Sequence, residues 1–344
     1  MENSYPTLFI THRGKRHQHD SLAAAPSELE ITIKRSPTKE EIIALLPGKK
    51  FLISERSGEI DADIIAAGKD LLLIQRLGSM TYDIDLESAR NAGIAVSSLP
   101  VQSAIMVAEH MIMQLLACAK RLREMMDITH SAEDYGKPSR LSDEDYFAYN
   151  WSNRKDIRGL RGSTVGILGF GEIGAEVARR LQGFGSNIIY NKRNPLPASA
   201  EEDLHIKYAS KEDLVSTSDY VCMLLPYFPE TALSLSDQFF AKMKQGAIFV
   251  SCGGSGVVDE KALTRALLNQ HLYGAAIDTY TYEPIAKNDP LLPLVNDPRF
   301  NLILTPHIAA GSGLVGVKPG EERAGDYVNI MRLLAGKEIL GRVA

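Results

Sequence analysis

The sequence predicts an α/β fold made of two doubly wound parallel-sheet domains. Three observations carry that expectation. The segment Thr164-Val-Gly-Ile-Leu-Gly-Phe-Gly-Glu-Ile-Gly174 reads as strand, glycine-rich turn and helix start. Strand and helix patterns alternate in two separate stretches, one before and one after a long apolar run from Ser103 to Arg123. The chain has 344 residues, more than one core usually organises.

Within the glycine-rich segment each residue has a local reason. Val165 to Leu168 is a short apolar run, the signature of a buried strand. Gly169 permits the tight turn, Gly171 lets backbone approach a pyrophosphate, and Gly174 lets the helix pack closely. The helix beginning at Glu172 and Ile173 then offers free N–H groups and the positive end of its dipole to phosphates.

Before that segment, Leu8–Ile10, Leu29–Ile33, Phe51–Ile53, Leu71–Gln75 and Ile94–Val96 read as strands. Thr11 to His19 carries three histidines but reads as an exposed polar loop. A helix starts after Ser36, with Thr38 and Glu41 spaced for a capping box. Asp61–Ala67 and Asp85–Ala92 are further helices. Asp127 to Arg158 is polar with little periodicity, a surface excursion anchored by Trp151. From Thr164 onward six strands are expected, near 165–168, 187–190, 220–225, 247–251, 273–277 and 302–304. A tail helix is expected from Glu321 to Leu334.

Bulk properties exclude several functions. The net charge of -5 lacks the basic excess of a nucleic-acid binder. Cys118, Cys222 and Cys252 suit neither paired bridges nor a zinc site, so no metal is expected and a reducing, cytoplasmic compartment is. The apolar stretch from Ala104 to Ala119 is interrupted by Glu109, His110 and Gln114, which favours a buried helix over a membrane span.

Several stretches together resemble the D-isomer-specific 2-hydroxyacid dehydrogenases. They are Leu71-Leu-Leu-Ile-Gln-Arg-Leu-Gly78, Val107-Ala-Glu-His110, Leu160 to Gly171, Leu224-Leu-Pro226, Met243-Lys-Gln-Gly-Ala247, Val257-Val-Asp-Glu260, Asp278-Thr-Tyr-Thr-Tyr-Glu-Pro284 and Leu304-Thr-Pro-His-Ile308. The resemblance implies a Rossmann-type nucleotide domain, residues 111–308, inserted in a flavodoxin-like substrate domain, residues 1–110 and 309–344. It also implies a homodimer, a small 2-hydroxy or 2-oxo acid as substrate, and an active-site Arg, Glu and His. Glu283 and His307 stand at the last two positions. A histidine titrates near neutrality and can pass a proton either way, while a neighbouring carboxylate orients the ring. Residues implied to hold the cofactor are Gly169, Gly171, Glu172, Ile173, Gly174, Asn191, Lys192, Arg193, Pro226, Cys252, Asp278 and Val107. Those implied on the substrate side are Arg76, Ser79 and Met80.

Departures from the family pattern cluster around the substrate. Gly254 in Ser251-Cys-Gly-Gly-Ser-Gly-Val-Val-Asp-Glu260 stands where the family has its arginine, and glycine cannot supply a two-pronged grip on a carboxylate. Met80 replaces a glycine, and the stretch after His307, Ala309 to Gly320, is longer and richer in glycine than the family's turn. Arg76 or Lys318 is a candidate for the missing charge. At the end of the second strand, Asn191 with Lys192 and Arg193 stands where NAD-dependent members carry an acid, so NADP is expected over NAD. The competing expectation is a protein that keeps the cofactor without ordinary turnover, as a sensor or scaffold, or that uses it in non-redox chemistry.

Overall fold

In a computed structural model, residues 4–55, 58–297, 299–311 and 323–344 are described here. The chain forms two compact units, residues 1–105 with 311–344, and residues 106–310.

The first unit opens with β1 (Tyr5–Thr11), α1 (Lys15–Ala23), β2 (Leu29–Arg35), α2 (Lys39–Leu45) and β3 (Phe51–Glu55). It continues with α3 (Ala62–Ala67), β4 (Leu73–Leu77), α4 (Leu86–Asn91) and β5 (Ala95–Leu99). The strands form one parallel sheet in the order β2-β1-β3-β4-β5, the flavodoxin-like arrangement expected from the resemblance. Apolar side chains fill both faces. Leu8, Ile10, Leu52 and Ile74 pack on one side, and Phe9, Phe51, Ile53 and Leu73 meet Tyr327 and Ile330 from the tail on the other. The capping box closes as read, with the Thr38 hydroxyl accepting from the Glu41 N–H and the Glu41 carboxylate accepting from the Thr38 N–H at 2.8 Å.

The stretch expected as a polar loop, Thr11 to His19, overlaps the first half of α1, whose only buried residue is Ser21; a helix with so little apolar burial leaves no periodic signal. The fourth strand runs two residues later than expected, because Leu72 faces solvent while Gln75 and Arg76 are interior. The tail helix occupies Val328–Leu334 after a 3₁₀ turn at Ala324–Tyr327.

The long apolar run forms α5 (Gln102–Ala119), long and apolar enough to cross a membrane by length and composition alone. Over half of that helix is buried within the protein, and its Gln114 side chain donates to Thr305 Oγ1 at 3.1 Å. Arg121 then turns into the left-handed region (φ 50), ending the helix, and α6 (Leu122–Ser131) follows. This helix, expected to be irregular from Asp127, has no buried residue. Trp151 on the excursion is 39% exposed.

The second unit continues β6 (Thr164–Leu168), α7 (Glu172–Gln182), β7 (Asn187–Asn191), α8 (Ala198–Leu204), β8 (Ile206–Tyr208), α9 (Lys211–Thr217), β9 (Tyr220–Met223) and α10 (Asp237–Lys242). It ends with β10 (Ala247–Ser251), α11 (Glu260–Leu268), β11 (Leu272–Ile277), α12 (Leu292–Val295) and β12 (Leu302–Leu304). The sheet is parallel throughout, in the order β12-β11-β10-β9-β6-β7-β8. Seven strands form where six were expected. The extra one, β8, is three residues long with only Ile206 buried, too short to show a period. Phe239, Phe240 and Phe249 pack edge to face in its core.

Candidate active site

Parallel strands deliver their following loops to one edge of the sheet, and ligands of such sheets bind there. β9, β10, β11 and β12 are consecutive neighbours. Tyr227, Gly254, Asp278 and His307 therefore emerge side by side, each a few residues beyond its strand.

At the centre, His307 Nδ1 lies 2.7 Å from Glu283 Oε2. The other carboxylate oxygen, Oε1, accepts from the Ser255 hydroxyl at 2.8 Å and from the Tyr280 N–H at 3.0 Å. Burial disfavours the charge on Glu283, but the Tyr280 N–H, the His307 ring and the Ser255 hydroxyl outweigh it and hold its pKa below the usual value. The His307 side chain is 52% exposed, so the pair adds at most about 1 kcal/mol to stability. What the contact fixes is ring orientation.

The backbone under His307 is unusual. His307 has φ 52, in the left-handed region that costs a non-glycine residue roughly 1 kcal/mol or more. Asp278, fully buried, holds this turn. Its Oδ1 accepts from Thr305 Oγ1 at 2.5 Å and from the Ile308 N–H at 3.1 Å, and its Oδ2 accepts from the Ala309 N–H at 2.9 Å. His110 lies beside it, 3.6 Å from the carboxylate and 3.2 Å from Thr305 Oγ1. Burial lowers the His110 pKa against the pull of Asp278.

The glycine-rich turn fits a dinucleotide. Gly169 has φ +89, and a Cβ there would stand 2.6 Å from the Leu225 N atom, so only glycine fits. A Cβ on Gly171 would meet nothing within 4 Å, leaving open backbone at the start of α7. Gly174 faces the Phe170 ring rather than a strand, with 3.0 Å from its ideal Cβ to the ring. Glu172 is buried and Ile173 half-buried in the first turn of α7. Asn191 ends β7, and its amide nitrogen donates to the Ala209 carbonyl at 2.8 Å, which turns the neutral side-chain oxygen into the remaining acceptor. Lys192 is half-buried and Arg193 exposed.

Cys252 is buried beside Gln114 (Sγ to Oε1 3.4 Å), Val107 is buried in α5, and Pro226 lies against Gly254. In the first unit, Ser79 and Met80 follow β4 half-buried. Arg76 is 5% exposed and its guanidinium is paired with Asp83 at 2.8 Å, which accounts for its charge locally. Lys318 lies outside the described residues. Ser255, Tyr280, Thr305 and Tyr227 were not singled out by sequence. For Ser255 and Tyr227 the signal was the small-residue run at 253–256 and the aromatic pair after Pro226, while Tyr280 and Thr305 lie inside the motifs around Glu283 and His307.

The family model for the D-isomer specific 2-hydroxyacid dehydrogenase, NAD binding domain, matches residues 112–309. A hydroxypyruvate reductase from Thermotoga maritima is 33% identical over 287 residues, covering 83% of this chain and 85% of that protein. A D-3-phosphoglycerate dehydrogenase from Archaeoglobus fulgidus is 31% identical over 307 residues, 88% of this chain. This chain spans about half (54%) of that relative's length. The crystal structure of a glyoxylate reductase from Paecilomyes thermophila superposes with a TM-score of 0.51 at 26% identity, covering 99% of this chain and 98% of that one. The chain belongs to the D-isomer specific 2-hydroxyacid dehydrogenase family.

Proposed function

We propose that this chain is an NAD(P)-dependent oxidoreductase acting on a small 2-hydroxy or 2-oxo acid or a related carbonyl compound. The 2.7 Å contact between His307 Nδ1 and Glu283 carries the reading. It commits one ring nitrogen to a carboxylate and leaves Nε2 to hold or release the proton of a carbonyl oxygen. Glu283 steadies the charged ring, Ser255 and the Tyr280 N–H steady Glu283, and Asp278 keeps the turn beneath in place. Gly169, Gly171, Gly174, Glu172 and Ile173 would hold the pyrophosphate. Asn191, Lys192 and Arg193 would meet the ribose, and Val107, Pro226, Cys252 and Asp278 the nicotinamide end. When bound, the nicotinamide supplies or takes the hydride.

The neutral acceptor on Asn191 beside Lys192 and Arg193 supports NADP over NAD. Cys118, Cys222 and Cys252 form no disulfide, which supports a reducing, cytoplasmic setting. Leu141, Phe147 and Tyr149, 88%, 70% and 77% exposed on the excursion, support a homodimer; sedimentation as a monomer would end that part. The reading is tested by NADPH oxidation with hydroxypyruvate and glyoxylate, in the wild type and in His307→Asn. Cofactor binding without turnover of either acid, or of a neutral 2-oxo amide assayed alongside them, would favour the sensor reading, which the glycine at 254 motivates.

A further inference from the structure

We infer that His110 is a positioning residue for His307, acting through Thr305 as a hydrogen-bond donor from Nε2. The inference rests on the oxidoreductase reading, in which His307 carries the proton. Thr305 stands two residues before His307, just past β12, and each of its polar atoms is engaged. Its N–H donates to the Ile277 carbonyl at 3.0 Å. Its carbonyl accepts from the Tyr280 hydroxyl at 2.9 Å and from the His307 N–H at 3.0 Å. Its hydroxyl meets three partners: Asp278 Oδ1 at 2.5 Å, Gln114 Nε2 at 3.1 Å and His110 Nε2 at 3.2 Å. His110 and Gln114 lie about one turn apart on the same face of α5, within the compact unit that also holds Thr305 and His307.

Counting protons fixes which group donates. A hydroxyl has one proton and two lone pairs, and a carboxylate only accepts. Asp278 takes the Ile308 and Ala309 N–H groups, and the Thr305 proton joins them; the other acceptor in reach, the Ile277 carbonyl, is 3.5 Å away. The Gln114 amide is turned by the Cys252 thiol, 3.4 Å from Oε1, which leaves its Nε2 to donate to Thr305. The last lone pair of the hydroxyl is open only to a donor, so His110 carries a proton on Nε2. Burial favours the neutral ring there, lowering the His110 pKa against the Asp278 carboxylate, and Nδ1 is then bare. Pro306, with its fixed φ, is the one residue between this anchor and His307. The left-handed backbone of His307 persists only where its surroundings over-determine it, and two donors on one helix supply that constraint.

The test is nitrogen NMR on the full chain with isotope-labelled histidine, joined to kinetics on His110→Phe and His110→Gln. In the wild type near neutral pH, His110 is expected with Nε2 protonated and Nδ1 bare. A proton on Nδ1, alone or together with Nε2, would overturn the inference, and this reading needs no variant to fold. The His307 ring signals, identified by their loss in His307→Asn, should shift in His110→Phe, which keeps a ring and loses the donor. They should return toward their wild-type positions in His110→Gln, whose amide donates from a similar place. In NADPH-dependent reduction of a 2-oxo acid, His110→Phe should lose about 10- to 100-fold in kcat, with substrate KM and the NADPH dissociation constant within about threefold. His110→Gln should recover most of that loss. Unmoved His307 signals in His110→Phe, or equal kcat losses in the two variants, would also overturn the inference. If the His307 signals respond as stated but the wild type reduces no 2-oxo acid, the oxidoreductase reading fails and the positioning of the ring stands.

Discussion

Glu283 Oε2 sits 2.7 Å from His307 Nδ1, while Oε1 of the same carboxylate is occupied by Ser255 and the Tyr280 N–H. Both oxygens of this carboxylate are engaged, which gives the imidazole a preferred tilt. The charge on Glu283 is protected as well, since its pKa lies below the ordinary carboxylate value.

Glu283→Gln keeps the shape and removes the charge. We expect kcat to fall about 100-fold with cofactor affinity unchanged. Stability gives an independent sign. A lowered folded-state pKa contributes stability above the unfolded value of about 4.3, lost as pH falls through the folded value. The difference in unfolding free energy between wild type and Glu283→Gln should be no larger than about 1 kcal/mol near pH 6 and fade as pH drops through about 4 and below. Chemical denaturation across that range measures it.

Gly254→Arg restores the family's residue type but not its site. Its Cβ would stand 2.3 Å from Tyr227 N, so both Gly254→Ala and Gly254→Arg should lose about 1–3 kcal/mol of stability. Neither should gain preference for a carboxylate substrate. Melting curves and paired kinetics on an acid and its methyl ester check both statements.

Asn191→Asp places a carboxylate at the end of β7, where Asn191 now offers a neutral oxygen. It should raise KM for NADPH and lower it for NADH, inverting the preference about tenfold or more. Equal KM ratios in wild type and variant would detach Asn191 from cofactor choice.

Much of this was legible in the chain because the signals are local. The turn at Gly169–Gly174, the capping box of Thr38 and Glu41, and the alternation of strand and helix depend on neighbours within a few positions. Glu283 and His307 stood out through the short motifs around them. The partners that tune them did not, since Ser255 meets Glu283 across 28 residues and Asp278 holds Ala309 across 31. The pairing of Arg76 with Asp83 was not legible, because a sequence does not show that the loop after β4 folds back onto it. The glycine at 254 read as a glycine in place of an arginine; only the approach of Tyr227 shows how crowded its surroundings are.

The first unit carries its own pH dependence. Asp326 is pushed up to about 6 by burial, against the pull of Arg323, whose Nε lies 2.6 Å away. A carboxyl with a raised folded-state pKa binds more protons folded than unfolded, so stability declines as pH rises from about 4 to 6. The decline should be of order 2 kcal/mol. Asp326→Asn, which cannot titrate, should flatten that slope in denaturation measured at pH 4.5 and 6.5.

The most direct measurement is the kcat/KM of His307→Asn for NADPH-dependent carbonyl reduction, alongside its cofactor dissociation constant. With an imidazole as proton carrier, kcat/KM should fall about 100- to 10,000-fold while cofactor binding stays within a few-fold of wild type. Near-wild-type reduction by His307→Asn would contradict the assignment of the His307–Glu283 pair.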